Sequence, residues 1–324
     1  MERVVRAIRE RSHFLVTTHV RPDGDAAGSL LALTAMLKRL GKSAAPLTQD
    51  PLAPNCEFLP GAEAIRHEVS EVSVFDAAIL VDCGDFSRIG DGLAAVVRRI
   101  PFLINIDHHV SKAPFGNVAW VDSSASSTCE MLYDLCLSLP VEPDAAIATC
   151  LYTGLITDTG SFQFSNTNRR VLEVASALVG AGAQPAAVAS EIYDSAPPQR
   201  LLLLGRVLST VAFLAGNRLA TAALSHQMLD ETGAHPSDSE GFVNHLRSIR
   251  PVELAIFFRE GEDGFVHVSM RSKGKIDVAA FAQRFDGGGH RQAAAFHLPG
   301  NLEEIRSRYT AEALEYMKKS GVLP

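Results

Sequence analysis

Between Thr17 and Ser29 the chain reads TTHVRPDGDAAGS and gathers three side chains able to hold a metal ion, His19, Asp23 and Asp25. They stand where the apolar run Phe14 to Val16 gives way to a helical pattern over 26–40. Pro22 and Gly24 interrupt regular structure between the acids, which places the carboxylates on a turn. Imidazole together with carboxylates suits a divalent cation such as Mn²⁺ or Zn²⁺. Taken alone, Asp-Gly-Asp ahead of a helix also reads as a simple cap.

Three more acid or imidazole clusters close apolar runs. Ile79-Leu80-Val81 leads to Asp82 and Asp85, Leu103-Ile104-Asn105-Ile106 to Asp107-His108-His109, and Leu155-Ile156-Thr157 to Asp158. In open α/β sheets, ligands bind at the carboxyl ends of strands. One site assembled from several strand ends is therefore a more economical reading than four unrelated caps.

The elements that must position these residues follow from the pattern. Short apolar runs at 14–18, 43–47, 77–81, 102–106 and 118–121 read as strands. Helical patterns cover 93–99, 123–137, 143–156, 169–179 and 185–193, and the one over 26–40 stops at Gly41. This alternation predicts an α/β domain over 1–195 with a doubly wound parallel sheet. Pro197-Pro198 marks a break, and 196–216 reads as a helical linker around the pattern 199–214. A smaller α/β domain over 217–324 is expected from strands at 218–224, 253–259 and 265–270 and helices at 239–248 and 276–285. The last of these runs into Asp286-Gly287-Gly288-Gly289-His290, with Arg271, Lys273, Lys275, Arg284 and Arg291 close in sequence. Consecutive glycines let backbone N–H groups approach a ligand at a bend, though they also suit a flexible loop.

Bulk properties narrow the class. A chain of 324 residues, 47% hydrophobic and 21% charged, is long enough for two cores. The net charge of −7 argues against coating long nucleic acid, yet leaves short oligonucleotides open. Residues 1–195 carry 15 Lys+Arg against 23 Asp+Glu, and residues 196–324 carry 15 against 14. The acid-rich half suits cations, and the balanced half, with local basic clusters, suits an anionic ligand. Five cysteines without a CxxC pair fit a reducing cytoplasm. There is no run of ~20 apolar residues, so no membrane span is expected.

Together, His19-x-x-x-Asp23-x-Asp25, Asp82, Asp107-His108-His109 and Asp158 resemble the DHH superfamily of phosphoesterases. Arg271-Ser272-Lys273, Lys275-Ile276-Asp277-Val278 and Gly287-Gly288-Gly289-His290 resemble its DHH-associated carboxy-terminal domain. The likeness spans nearly the whole chain. It implies a two-metal hydrolase with two divalent cations, Mn²⁺ by donor type, ~3.5–4 Å apart. His19, Asp23 and Asp82 would hold one ion, and Asp25, Asp82, His108 and Asp158 the other, with Asp82 bridging. His109 would contact the scissile phosphate, and Asp107 would orient an imidazole. Arg271, Lys273, Gly287, Gly288, Gly289 and His290 would grip the substrate in a two-sided cleft that limits its length. The implied substrates are short single-stranded RNA (nanoRNA) and small nucleotides such as 3′-phosphoadenosine 5′-phosphate (pAp). A linear or cyclic dinucleotide phosphodiesterase, a polyphosphatase and a non-enzymatic nucleotide sensor stay open, as does a homodimer. Lys112, Asp286 and Ala295 depart from the usual Asn, Gly and Gly, which bears on substrate preference and not on the metal ligands.

Overall fold

A computed structural model describes residues 1–69, 71–110, 114–261 and 264–323. Lys112 lies outside the described residues. Contacts divide the chain into two units, Met1–Ser195 and Ala196–Pro324.

The first unit runs α1 (Glu2–Glu10), β1 (His13–Thr17), α2 (Gly24–Arg39), β2 (Ser43–Leu47), β3 (Ala77–Val81), α3 (Asp91–Val97), β4 (Leu103–Asp107) and β5 (Val118–Val121). It continues through α4 (Thr128–Ser138), α5 (Ala145–Asp158), α6 (Arg169–Gly180) and α7 (Pro185–Tyr193). The five strands form an all-parallel sheet in the order β2-β1-β3-β4-β5. Its strands are continuously apolar because both faces are covered. Phe14, Val16, Ile79 and Val81 face a core shared with α1, α2, α4 and α5. Leu15, Ala78 and Leu80 face the opposite way, against Leu93, Ala94 and Val97 of α3. Each large side chain buried here contributes roughly 1.5–3 kcal/mol of transfer free energy.

Two helices meet unusually closely in this core. On α2, a Cβ at Gly28 would lie 2.3 Å from the Cys150 carbonyl oxygen of α5, and one at Gly24 would lie 2.5 Å from Thr157 Cγ2. The glycines thus set the α2–α5 spacing, and that spacing brings Asp25 and Asp158 into one neighbourhood.

The second unit comprises α8 (Pro198–Leu208), β6 (Ala212–Leu214), β7 (Leu219–Leu224), α9 (His226–Thr232), α10 (Phe242–Arg247), β8 (Leu254–Glu260) and β9 (Phe265–Ser272). It ends with α11 (Val278–Ala282), β10 (Gly288–His290), β11 (Ala293–Pro299) and α12 (Leu302–Lys319). The sheet order is β10-β11-β9-β8-β7-β6, antiparallel except for the β7–β8 pair. Ile256, Phe258, Val268, Met270 and Phe296 face α11 and α12. Ala220, Ala222 and Phe257 face Leu203 and Val207 of α8 and Phe242 and Leu246 of α10.

Several expectations shift. The helix expected to run to Leu214 stops at Leu208, and β6 follows, paired with β7. Segment 196–216 therefore contributes a helix to one core of the second unit and an edge strand to its sheet. The helix expected from Ser123 starts at Thr128, because Asp122 first closes a turn by accepting from the N–H and Oγ of Ser124. Among the described residues, no single helix is long and apolar enough to cross a membrane.

Candidate metal centre

Eight side chains singled out in the first unit converge. Asp82 is their hub. It follows β3 in the left-handed region, φ 53°, with its N–H donating to the Ile106 carbonyl at 3.0 Å. This conformation is tolerated by Asp and Asn and is uncommon elsewhere. The carboxylate stands at the carboxyl end of β3, the central strand, and its two oxygens face different partners. Oδ2 lies 3.6 Å from His19 Nε2, and Oδ1 lies 3.5 Å from His108 Nε2.

The remaining donors gather around these two contacts. His19, Asp23 and Asp82 present ligand atoms within 4.8 Å of one another, and so do Asp25, Asp82 and His108. Asp158, the last residue of α5, places Oδ2 3.1 Å from His108 Nε2. The site expected from several strand ends thus draws on helix ends as well. Asp82 and His108 follow strands, Asp23 and Asp25 open a helix, and Asp158 closes one. Asp23 also fulfils the capping reading, since its Oδ1 accepts from the Ala26 N–H at 3.0 Å.

The two imidazoles are set for cation binding. His19 Nδ1 donates to the Val20 carbonyl at 2.8 Å, and His108 Nδ1 faces the Ala125 carbonyl at 3.4 Å. Each Nε2 lone pair then points at carboxylate oxygens, an arrangement that needs a proton or a metal ion between them. Burial disfavours the charged form of His108, but pairing with Asp158 and the charges of Asp82 and Asp25 outweigh it and hold its pKa well above the usual value. His19 is raised in the same manner, burial being outweighed by Asp82 and Asp23. Burial, followed by repulsion from Asp82 and Asp158, lifts Asp25 well above the usual carboxylate range. Asp158 is raised too, by burial against the pull of His108. Burial would also lift Asp82, but its histidine partners hold it well below that range. A crowd of acids and imidazoles whose pKa values are displaced in this way fits divalent cations as the natural counter-charge. These clusters could hold a metal ion.

One anchor was not read from the sequence. The N–H groups of Thr128 and Cys129, in the first turn of α4, donate to the two oxygens of Asp25 at 2.7 and 3.0 Å. Thr128 Oγ1 donates to Asp82 Oδ1 at 3.1 Å. The positive end of a helix thus steadies both acids. The Ser127 cap, which accepts from Glu130 N–H, was the available signal for where that helix starts. Gly154 on α5 completes the packing. An added methyl there would lie 2.3 Å from Cys129 Sγ and 2.5 Å from Asp25 Oδ1. Gly154→Ala is therefore expected to lower stability by about 1–3 kcal/mol through overpacking. It should also displace Asp25, so metal affinity should fall with it. A melting curve and metal content matching wild type would refute this role.

His109 sits at the rim, half-buried, with Nδ1 donating to Asp107 Oδ1 at 2.8 Å and lying 3.5 Å from Asp82 Oδ1. Asp107, fully buried, holds the His109 imidazole in place.

The residues singled out in the second unit lie on or beside β9 and β10. Arg271, half-buried on β9, donates from Nη1 to the Met270 carbonyl at 3.0 Å and pairs in register with Ala293, which in turn pairs with His290. Lys273 is committed locally, its Nζ donating to the carbonyls of Ile249 and Arg250 at 2.7 and 3.0 Å. The glycine triplet is not a free bend, because Gly288–His290 is an edge strand on β11. Gly289, at φ 136°, requires glycine, and a Cβ at Gly287 would lie 2.4 Å from the Ala295 carbonyl oxygen. Asp286 occupies the left-handed region at φ 56°, which an aspartate tolerates in place of glycine. Ala295 is exposed, so its methyl costs the strand nothing.

Comparison with known proteins agrees with this division. The DHH family, N-terminal domain, matches residues 13–155, and the DHHA1 domain matches residues 216–315. A bifunctional oligoribonuclease and PAP phosphatase NrnA of Thermus thermophilus is 38% identical, over 95% of this chain and 91% of its own length. The protein of the same name from Bacillus subtilis is 29% identical, over 90% and 91%. The crystal structure of an exopolyphosphatase-related protein from Bacteroides fragilis superposes with a TM-score of 0.90 at 26% identity, covering 99% of this chain and 97% of that one.

Proposed function

The chain belongs to the DHH family of phosphoesterases, its DHH domain followed by a DHHA1 domain, and we propose that it hydrolyses short oligoribonucleotides to nucleoside monophosphates and removes the 3′-phosphate of pAp. Relatives named for both activities, aligned over nearly the full chain, support this reading. The observation that carries the mechanism is the position of Asp82, which turns Oδ2 toward His19 and Oδ1 toward His108 and so belongs both with His19 and Asp23 and with Asp25 and His108. His19, Asp23 and Asp82 would hold one cation there, and Asp25, Asp82, His108 and Asp158 the other. Divalent cations held there, Mn²⁺ by donor type, would acidify the attacking water and offset charge building on the phosphate.

The protein's own groups do the rest. The α4 amino terminus fixes the directions of Asp25 and Asp82. Asp107 holds His109 through Nδ1, so a proton on Nε2 makes that ring cationic. This form can bond a phosphoryl oxygen or hand its proton to the departing oxygen. Arg271, His290 and the glycine strand take the part of the substrate that is not cleaved. Lys273 instead secures the turn at Ile249 and Arg250.

The test uses purified protein with Mn²⁺ on di- to pentaribonucleotides, a 24-mer, pAp, polyphosphate, and linear and cyclic dinucleotides. Rates on RNA should fall steeply beyond about five nucleotides, since a single domain of this kind engages only a few. Comparable turnover of the trimer and the 24-mer, or faster turnover of polyphosphate than of RNA and pAp, would refute the reading.

Metal binding should also govern stability through pH. His19, His108, Asp25 and Asp158 all have raised pKa values in the metal-free fold. A raised folded pKa gives stability that is present at low pH and lost as pH climbs through it. Asp82, lowered, acts oppositely but only in the acid range below the usual carboxylate value. Chelator-treated protein is therefore expected to melt progressively lower as pH climbs above the ordinary histidine value, where metal binding takes the place of the protons. Saturating Mn²⁺ should restore roughly 10 °C at the alkaline end, from about 4 kcal/mol of linkage at 2–4 °C per kcal/mol. A Mn²⁺ increment that is independent of pH would show that these groups do not hold the ion.

A further inference from the structure

On one face of the second unit's sheet, α8 and α10 pack over β7 and β8. Further across that face, β9 presents Phe265, His267, Ser269 and Arg271, all half-buried, and β11 presents Ala295 and His297, both exposed. Strand register sorts the polar residues into rows. Arg271 pairs with Ala293, and Ala293 with His290, in one row. Arg259 of β8 pairs with His267, and His267 with His297, in another. Between them lie Ser269, Ala295 and Gly288, three small residues in register. The rows are four residues apart along β9, roughly 13 Å at about 3.3 Å per residue. At the outer row, the His297 ring lies 5.5 Å from Phe265 and 6.1 Å from His267.

We propose that this outer row is a second nucleotide subsite, in which Arg259 engages a phosphate while Phe265, His267 and His297 form a stacking platform for a base. The inference rests on the proposed action on short RNA and adds where the far end of a longer substrate is held. Accessible aromatic rings on a sheet face accept any base, because every base has a π-face. A guanidinium in the same row supplies a forked donor for phosphate. The small residues Ser269, Ala295 and Gly288 place no bulky side chain on these strands between one row and the other. A dinucleotide or pAp held at Arg271 and His290 does not extend to the outer row, whereas a tri- or tetranucleotide does. The subsite therefore makes grip depend on length without reading sequence.

The experiment compares wild type, Arg259→Gln and His297→Ala with Mn²⁺ on pAp and on di-, tri- and tetraribonucleotides. In both variants KM for the tri- and tetranucleotide should rise roughly tenfold with kcat little changed, the loss expected for one stacked base or one phosphate contact. KM for pAp and the dinucleotide should stay within about twofold of wild type. Melting curves serve as the control, since a purely structural role would lower the melting temperature and leave the length profile intact. An active wild type whose variants keep its KM at every length, or lose affinity equally at every length, overturns the subsite alone. A wild type that turns over no RNA overturns the functional reading and this inference together.

Discussion

Asp82→Asn should leave a folded protein that has lost about three orders of magnitude or more in turnover, on RNA and pAp alike, the scale of losing a central electrostatic element of an active site. The substitution is chosen for its backbone. Asp82 sits at φ 53°, where asparagine is as well tolerated as aspartate, so the strand end keeps its turn. The amide keeps an oxygen for the Thr128 hydroxyl, which now donates to Oδ1 at 3.1 Å. What disappears is the negative charge between His19 and His108. Two clusters share that charge, so bound metal should fall for both, and added Mn²⁺ should recover little activity. Asp23→Asn offers a contrast, since Asp23 is exposed, belongs to one cluster and doubles as a helix cap. Its effect should be smaller and partly restored by excess Mn²⁺. Full turnover in Asp82→Asn with undiminished metal content would exclude the bridging assignment.

Much of this centre was legible because strand ends announce themselves. A continuous apolar run followed by Asp or His marks where a buried strand leaves the sheet, and Asp82, Asp107 and His108 were found that way. Residues that reach the site on helices were harder to place. Periodicity placed the helix near Asp158, but only the closeness of α2 and α5 at Gly28 and Gly154 brings that residue to His108. Thr128 was illegible for a related reason. Its bond to Asp25 joins residues 103 positions apart, and nothing local to either signals the other. The glycine triplet misled in the opposite direction. Glycine is read as a break, yet Gly288 and Gly289 pair in a strand whose neighbour β11 presses so close that a Cβ at Gly289 would lie 2.4 Å from the Ala293 carbonyl oxygen. Lys273 looked like a ligand for phosphate from its company in sequence, and its ammonium is occupied by two backbone carbonyls.

Arg271→Ala and His290→Ala should separate grip from chemistry. Both residues lie in the second unit, on β9 and β10, joined in register through Ala293. Neither belongs to any of the groups that contain Asp82, so both variants should retain wild-type metal content and metal-dependent melting. A charge-assisted hydrogen bond to phosphate contributes about 1.5–3 kcal/mol, so kcat/KM on RNA and pAp should fall roughly 10- to 100-fold. Most of that fall belongs in KM, because a contact to the uncleaved part of the substrate is felt nearly equally in the ground and transition states. A smaller loss in kcat is expected from looser positioning of the reacting phosphate. Bis-p-nitrophenyl phosphate provides the internal standard, since it has no second phosphate or nucleoside for these residues to hold. Its hydrolysis should be close to wild type in both variants. If either substitution abolishes turnover of that small ester in a folded, metal-loaded protein, then the residue acts on the reacting phosphate itself, and the division between a metal-holding domain and a substrate-holding domain is wrong.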